Sequence, residues 1–196
     1  VLLGKAEAKD AIVRSEEANY DILPTNGDLT AAEVELMTMM VAREQRLRKA
    51  RAKVRENYVF ILIVCPPSLN MLTLNAMVAA DSVMIPMQCE YYALEGLTAL
   101  LKTIEEIRGS VNPGLEIEGL LRTMYDPRNN LSTDVSGQLI MHFGDKVYRT
   151  VIPRNVRLAE APSHGVPALA YDRTSRGAVA YLALAGEILR RGEQAA

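Results

Sequence analysis

The sequence predicts an α/β fold, a mostly parallel sheet with helices on both faces, and two of its features carry that expectation. Residues 58–64 (YVFILIV) are apolar or aromatic without a break, and a run with no polar alternation suits a strand buried on both faces. From residue 69 onward, strand-like segments alternate with helix-like ones, the pattern of parallel βαβ units. Ligands of such sheets sit beyond the carboxyl ends of the strands, so Val64, which ends the apolar run, is expected to face the chemistry. A chain of 196 residues is of ordinary one-domain size, and residues 1–196 are expected to form a single α/β domain.

Residues 18–24 (ANYDILP) read as a short strand. The helix that follows opens with local logic: Thr30 can cap the first turn, Glu33 can reach back to it, and Leu29 and Val34 are placed as a hydrophobic staple. It is expected to run to about residue 56, with Leu36, Met40, Leu47 and Val54 as a discontinuous apolar stripe. Its second half (REQRLRKARAKVREN) is rich in Arg and Lys, which reads as a solvated helix face more readily than as a nucleic-acid contact. After the 58–64 strand come a helix over 69–80, a strand over 82–87 and a helix over 91–108, the last broken by Asn112-Pro113-Gly114. A strand within 116–126, a helix over 133–143, a strand over 146–153, an irregular segment and a last helix over 175–191 complete the chain.

Hydrophobic residues make up 49% and charged residues 23%, with a net charge of −2 and a pI near 5.8. That profile is globular, and it leaves any attraction to nucleic acid to a local basic patch. No apolar stretch approaches the about 20 residues that span a bilayer, so a cytoplasmic address without a membrane partner is expected. Cys65 and Cys89 follow apolar runs with neither CxxC spacing nor a His cluster, which predicts buried, reduced thiols. The chain opens on VLLGKAEAKD, without initiator Met or signal-peptide layout, so its true beginning is expected upstream.

Neither GxGxxG nor GxxxxGKS/T occurs, so the amide cradle that holds phosphates at a helix N-terminus is absent from these residues. His142 falls in a helix-like segment and His164 in a loop, with no Ser or Cys at a nucleophile elbow to pair with either. Asp126, Glu90 and Asp172 end or follow strands; a lone carboxylate there reads as a cap or ion-pair partner before an acid or base. Arg128 (in YDPRNNLS) and Arg154 and Arg157 (in IPRNVRLAEAPSHG) fall in loops after strands, where guanidinium forks can grip phosphate.

Three stretches, ILIVCPPSLNMLTLNAMVAADSVMIPMQCEYYALEGL, EIEGLLRTMYDPRNNLS and KVYRTVIPRNVRLAEAPSHGVPALAYDRTSRGAVAYLALA, closely resemble the ParA (Soj) family of chromosome- and plasmid-partitioning ATPases, over nearly the whole chain. The resemblance implies a deviant-Walker P-loop NTPase fold in which ATP and Mg²⁺ drive a dimer that binds DNA non-specifically, with a ParB-type partner stimulating hydrolysis. It implies a cytoplasmic, nucleoid-associated protein. By the same likeness, Arg128 and Arg157 match positions that contact the DNA backbone, and Thr123, Met124, Pro153 and Asn155 match the region lining the adenine pocket.

Two departures from the family pattern bear on activity. The family's N-terminal βαβ unit, with its Lys-Gly-Gly-Val-Gly-Lys-Thr-Thr loop, would precede Val1, so the domain is expected to be N-terminally incomplete. Family members usually read Tyr-Asp-Tyr-Ile-(Ile or Leu)-Ile-Asp-Cys-Pro-Pro where this chain has Val59 and Val64 in place of the two Asp residues. Valine offers no oxygen to a hard cation. The expectation is therefore a chain with no catalytic or metal-binding residue of its own, neither ATP nor Mg²⁺ bound tightly, no ATP hydrolysis, and an exposed apolar edge that favours self-association. A non-catalytic DNA- or partner-binding module that modulates an intact ParA, and a fragment without function, are the alternatives.

Overall fold

The computed structural model describes residues 1–66 and 68–195; Pro67, the second proline of the Cys-Pro-Pro run, lies outside the described residues. In chain order the elements are α1 (Ala8–Ala11), β1 (Val13–Ser15), β2 (Tyr20–Ile22), α2 (Asp28–Thr38), α3 (Arg46–Ala52), α4 (Met71–Ala79), β3 (Ser82–Gln88), α5 (Tyr91–Arg108), β4 (Glu116–Tyr125), α6 (Asn130–Phe143), β5 (Val147–Pro153), α7 (Val156–Glu160), α8 (Ala168–Tyr171) and α9 (Arg176–Ala195). Two compact units contain them, Val1–Val83 with Thr103–Glu116 and Met84–Lys102 with Ile117–Ala196. Among the described residues, no helix is long and apolar enough to cross a membrane.

In the first unit, the short strand expected near residue 20 is half of an antiparallel hairpin, with Val13 opposite Ile22 and Ser15 opposite Tyr20. Asp21 ties it down, accepting hydrogen bonds from Tyr58 Oη (2.8 Å) and Arg14 Nη1 (3.0 Å). The long helix expected over 30–56 is instead two. It stops at Thr38, the chain turns through a left-handed Ala42 (φ 53°), and α3 resumes at Arg46. Met40 of the expected stripe is 97% exposed, while Leu36 and Val54 are buried. Thr30 lies inside α2 rather than capping it, and Val34 is exposed, so neither the capping box nor the staple forms. Glu33 turns outward to another helix: its carboxylate accepts from Met71 N (3.1 Å) and Asn70 Nδ2 (3.2 Å), while Asn70 Oδ1 accepts from Thr73 N (3.0 Å). The start of α4 is thus capped twice. Asn75, on α4 and fully buried, accepts from Leu47 N in the first turn of α3 and donates to Arg43 O just before it and to Met71 O of its own helix.

Residues 58–66 form no strand, contrary to the sequence expectation. Val59, Phe60, Leu62 and Val64 are exposed, Val64 to 96%, and Cys65 is exposed with them whereas Cys89 is buried. The physical reason is that a strand exists only as one side of a hydrogen-bonded ladder, and no strand among the described residues pairs with this run. An apolar pattern states what a segment could bury, not whether a neighbour is there to bury it.

In the second unit the sheet order is β3-β4-β5. β4 and β5 run parallel, with Leu120 opposite Val147, Arg122 opposite Val151 and Tyr125 opposite Pro153. Two residues along β4 therefore span four along β5, and the excess is a bulge at 148–150. Its displaced backbone groups are taken by side chains. Buried Arg122 donates to the carbonyls of Tyr148 (2.8 Å) and Arg149 (3.1 Å), and to Ser136 Oγ (2.8 Å). Buried Glu187, on α9, accepts from the amides of Arg149 (2.8 Å) and Thr150 (2.9 Å) and from Arg191 Nη2 (3.0 Å). Arg191 also lies over the Tyr148 ring, 4.1 Å from its centroid.

Around this bulge, Leu121, Tyr148, Ile152 and Leu184 form a buried cluster, with Met84, Leu158, Ala180 and Ile188 packed against it. Gly119 is required by the closeness of the strands: a Cβ there would lie 2.7 Å from both Lys146 O and the Tyr148 ring. The segment between β5 and α9, irregular in the sequence reading, folds as α7, a 3₁₀ turn (Ala161–His164) and α8. A Cβ at Gly177 would overlap the Leu158 side chain, so α9 approaches α7 closely at its first turn.

Burial raises the Glu187 pKa, but the bonds from Thr150, Arg149 and Arg191 together outweigh it and hold the group at about 2, against an ordinary value of 4.5. A depressed folded pKa means that the stabilisation is complete above about pH 4.5 and disappears as pH falls toward 2. Glu187→Gln keeps the shape but removes the charge and replaces one of the two acceptor oxygens with a donor. It should cost about 1–3 kcal/mol in urea unfolding at pH 7, and the loss should shrink progressively when the titration is repeated below pH 4.5.

Candidate functional site

The carboxyl ends of β4 and β5 bring the candidate residues together. Tyr125 lies opposite Pro153, and Arg154 N donates to Tyr125 O (3.2 Å), carrying the pairing one residue past β5. Thr123, Met124, Pro153 and Asn155 therefore share one edge of two adjacent parallel strands. Met124 is in the left-handed region (φ 52°), at a register irregularity between Arg122 and Tyr125, and stands half-exposed. A non-glycine residue there is strained by about 1–2 kcal/mol, which β4 tolerates where it must turn its last side chains out of the ladder.

Asn155 precedes α7 in an extended conformation, but its side chain makes no capping bond to the helix. Its Oδ1 is buried and has no hydrogen-bond partner among the described residues. A buried acceptor of this kind is uncommon, and it sits where the fold places ligands.

Both candidate arginines are paired internally. Asp126 accepts from the backbone amide of Arg128 (3.1 Å), from its Nε (2.9 Å) and from its Nη2 (2.8 Å), although the Arg128 side chain is 88% exposed. The Arg128 side-chain bond, then its backbone bond, with a smaller contribution from nearby Arg154, lower the Asp126 pKa to about 2. Arg157 meets two carboxylates, Glu160 Oε2 (2.9 Å) and Asp172 Oδ2 (3.4 Å). Tyr171 Oη donates to the same Glu160 oxygen (3.2 Å), and His164 stacks on Tyr171 at 4.8 Å between centroids. Asp172 also accepts from Thr174 N and Oγ1, and the Thr174 side-chain bond leads the causes of its lowered pKa.

The remaining candidates do not converge. Glu90 is exposed after β3. His142 is exposed near the end of α6, its Nδ1 3.0 Å from Gln138 O. Asp126 and Asp172 act as ion-pair and turn-capping partners. Glu160 escaped the sequence reading, although its place three residues after Arg157 on a helix is the spacing of an ion pair. No group of three or more His, Cys, Asp or Glu that could hold a metal ion occurs among the described residues. A cleft of about 610 Å³ lies in the first unit against Met37, Leu69, Leu74, Met77 and Ile107, and includes none of the candidate residues.

With this geometry in hand, the chain can be set beside known proteins. Residues 1–117 match the family model described as AAA domain. The chain is 63% identical over 191 residues to an uncharacterized protein of Pseudomonas putida, covering 97% of this chain and 72% of that one. It is 53% identical over 193 residues to the chromosome partitioning protein ParA of Caulobacter vibrioides, with coverage of 97% and 72%. Its structure resembles that of cobyrinic acid a,c-diamide synthase from Mycobacterium smegmatis with bound ATP analog and magnesium, at a TM-score of 0.85 and 37% identity over 100% of this chain and 72% of that one. The α/β fold with a mostly parallel sheet flanked by helices is therefore that of P-loop ATPases.

Proposed function

Because this chain belongs to the ParA (Soj) family of chromosome-partitioning ATPases, we propose that it binds DNA without sequence preference through Arg128 and Arg157 and answers to a ParB-type partner in segregating a chromosome or plasmid. The observation that carries this reading is the placement of both arginines just past the carboxyl ends of β4 and β5, Arg128 in the turn after β4 and Arg157 in the first turn of α7 rather than in the loop its sequence predicts. With a net charge of −2, attraction to DNA has to come from such local cations. Contacts of this type fall on phosphate, carry no base readout and weaken with salt. A cytoplasmic, nucleoid-associated protein follows from the same reading.

The same edge supports an adenine site. Asn155 Oδ1, buried and unpartnered, is an acceptor suited to the exocyclic amine of the base, with Thr123, Met124 and Pro153 beside it. The donor set of these 196 residues does not fit triphosphate and Mg²⁺ equally well. They hold no GxxxxGKS/T loop, and Val64 has no oxygen for a cation or its waters. Phosphoryl transfer rests on positioning and charge stabilisation, so we read this chain as hydrolysis-deficient. Val64 also favours a second reading, a non-catalytic module that modulates an intact ParA through DNA or the partner. The exposed run at 58–64 supports self-association as a dimer or higher oligomer through strand pairing.

Labelled random-sequence duplex should bind the purified chain at low salt and be released as salt rises; Arg128→Ala and Arg157→Ala should each weaken binding, and equal affinity in all three proteins by anisotropy would refute the assignment. Titration calorimetry should place ATP at about millimolar affinity, roughly −4 kcal/mol, weakened by Asn155→Ala, with no Mg²⁺-dependent phosphate release above background. Light scattering should show species larger than a monomer, and Leu62→Lys should shift them toward the monomer; a monodisperse monomer in the parent chain would count against self-association.

A further inference from the structure

The arginines proposed to hold DNA are not free to do so. Asp126 takes Arg128 through Nε and Nη2 together, at 2.9 and 2.8 Å, the fork-to-carboxylate arrangement that a phosphate would otherwise receive. Arg157 is bracketed, its Nη1 against Glu160 and its Nε against Asp172. Glu160 is held in turn by Tyr171. Arg128 and Arg157 each already carry a carboxylate, so the Arg128–Asp126 pair itself presents close to zero net charge to DNA. Arg154, exposed and near enough to Asp126 to lower its pKa, makes no ion pair among the described residues.

We propose that Asp126, Glu160 and Asp172 are built-in competitors for phosphate: DNA binds by exchanging carboxylate for phosphate at Arg128 and Arg157, and these acids set affinity and its salt dependence. The inference rests on the DNA-binding reading above. Its chemistry is a swap of acceptors with no covalent step. A single phosphate has to displace a tethered carboxylate one for one and gains little. A polyanion releases counterions from many phosphates at once, so the device favours the polymer over isolated anions. The competing pairs are exposed, which keeps each weak enough to be displaced.

The test is fluorescence anisotropy with a labelled random-sequence duplex over a salt series, using the parent chain, Asp126→Asn, Glu160→Gln, and Asp126→Asn combined with Arg128→Ala. Asp126→Asn should tighten binding by about two- to fivefold, the range set by an exposed ion pair. It should also steepen the slope of log K against log salt by about 0.9, one more phosphate contact counted. Adding Arg128→Ala should abolish both changes, which a purely structural role for Asp126 would not predict. Glu160→Gln should act in the same direction through Arg157. If the parent chain binds and neither acid variant binds more tightly or more steeply, the competition is overturned while DNA binding stands. If neither the parent nor any variant binds at low salt, both readings fall. Binding seen in the acid variants alone supports the competition directly.

Discussion

The bulge at residues 148–150 of β5 is held by two buried charged side chains of opposite sign, and the geometry beyond it depends on them. A bulge frees backbone groups from the ladder, and buried amides and carbonyls left without partners each cost about 1–3 kcal/mol. Here Arg122 takes the two carbonyls and Glu187 the two amides. Burying isolated charges is expensive, and backbone groups of the bulge, with Ser136 and Arg191, offset much of that cost, although Arg122 Nε stays buried without a partner among the described residues. The consequence runs down the strand. β5 pairs again at Val151, shifts register once more before Pro153 ends opposite Tyr125, and delivers Asn155 and Arg157 to the edge where β4 ends after Met124 and the chain turns at Arg128. α9, which carries Glu187 and Arg191, is thereby part of what aims those loops although it contributes no residue to them.

Charge at that edge is arranged as pairs rather than as a patch. Arg128 with Asp126, and Arg157 with Glu160 and Asp172, keep the edge near neutrality in a protein whose net charge is slightly negative. Such pairs contribute little to folding where they are exposed. Their effect lies in what an incoming anion meets, a guanidinium whose orientation is already fixed but whose charge is already answered. Orientation without net attraction favours ligands that can repay the exchange at several points together.

The sequence carried the second unit more faithfully than the first. β3, β4, β5, α6 and α9 fall within a few residues of where alternation and breakers put them, because each finds the neighbour that its apolar face requires. The failures share one cause. Residues 58–64 had the pattern of a buried strand but have no paired strand among the described residues. Glu33 had the spacing of a capping box but is bonded to Asn70 and Met71, thirty-seven and thirty-eight residues away. Met40 sat on a helical stripe but follows the end of α2, where the chain turns through Ala42. Each error turned on what a segment meets elsewhere in the fold, and no window along the chain contains that information. The candidate residues at the β4–β5 edge were legible through family likeness; that acids answer Arg128 and Arg157, and that nothing among the described residues answers Asn155 Oδ1, is decided only by the folded chain.

Asn155 bears most directly on what the edge is for. A buried acceptor without a donor raises the free energy of the unliganded protein by about 1–3 kcal/mol, and packing gives no return on it. The same atom becomes favourable when a donor reaches it, because its cost of burial has already been met. Residues kept in strained or unsatisfied states cluster where ligands bind, and Met124 supplies the strained backbone beside the unsatisfied oxygen of Asn155. Two unrelated departures from comfortable folding, one dihedral and one hydrogen bond, thus fall at the paired ends of the same two strands.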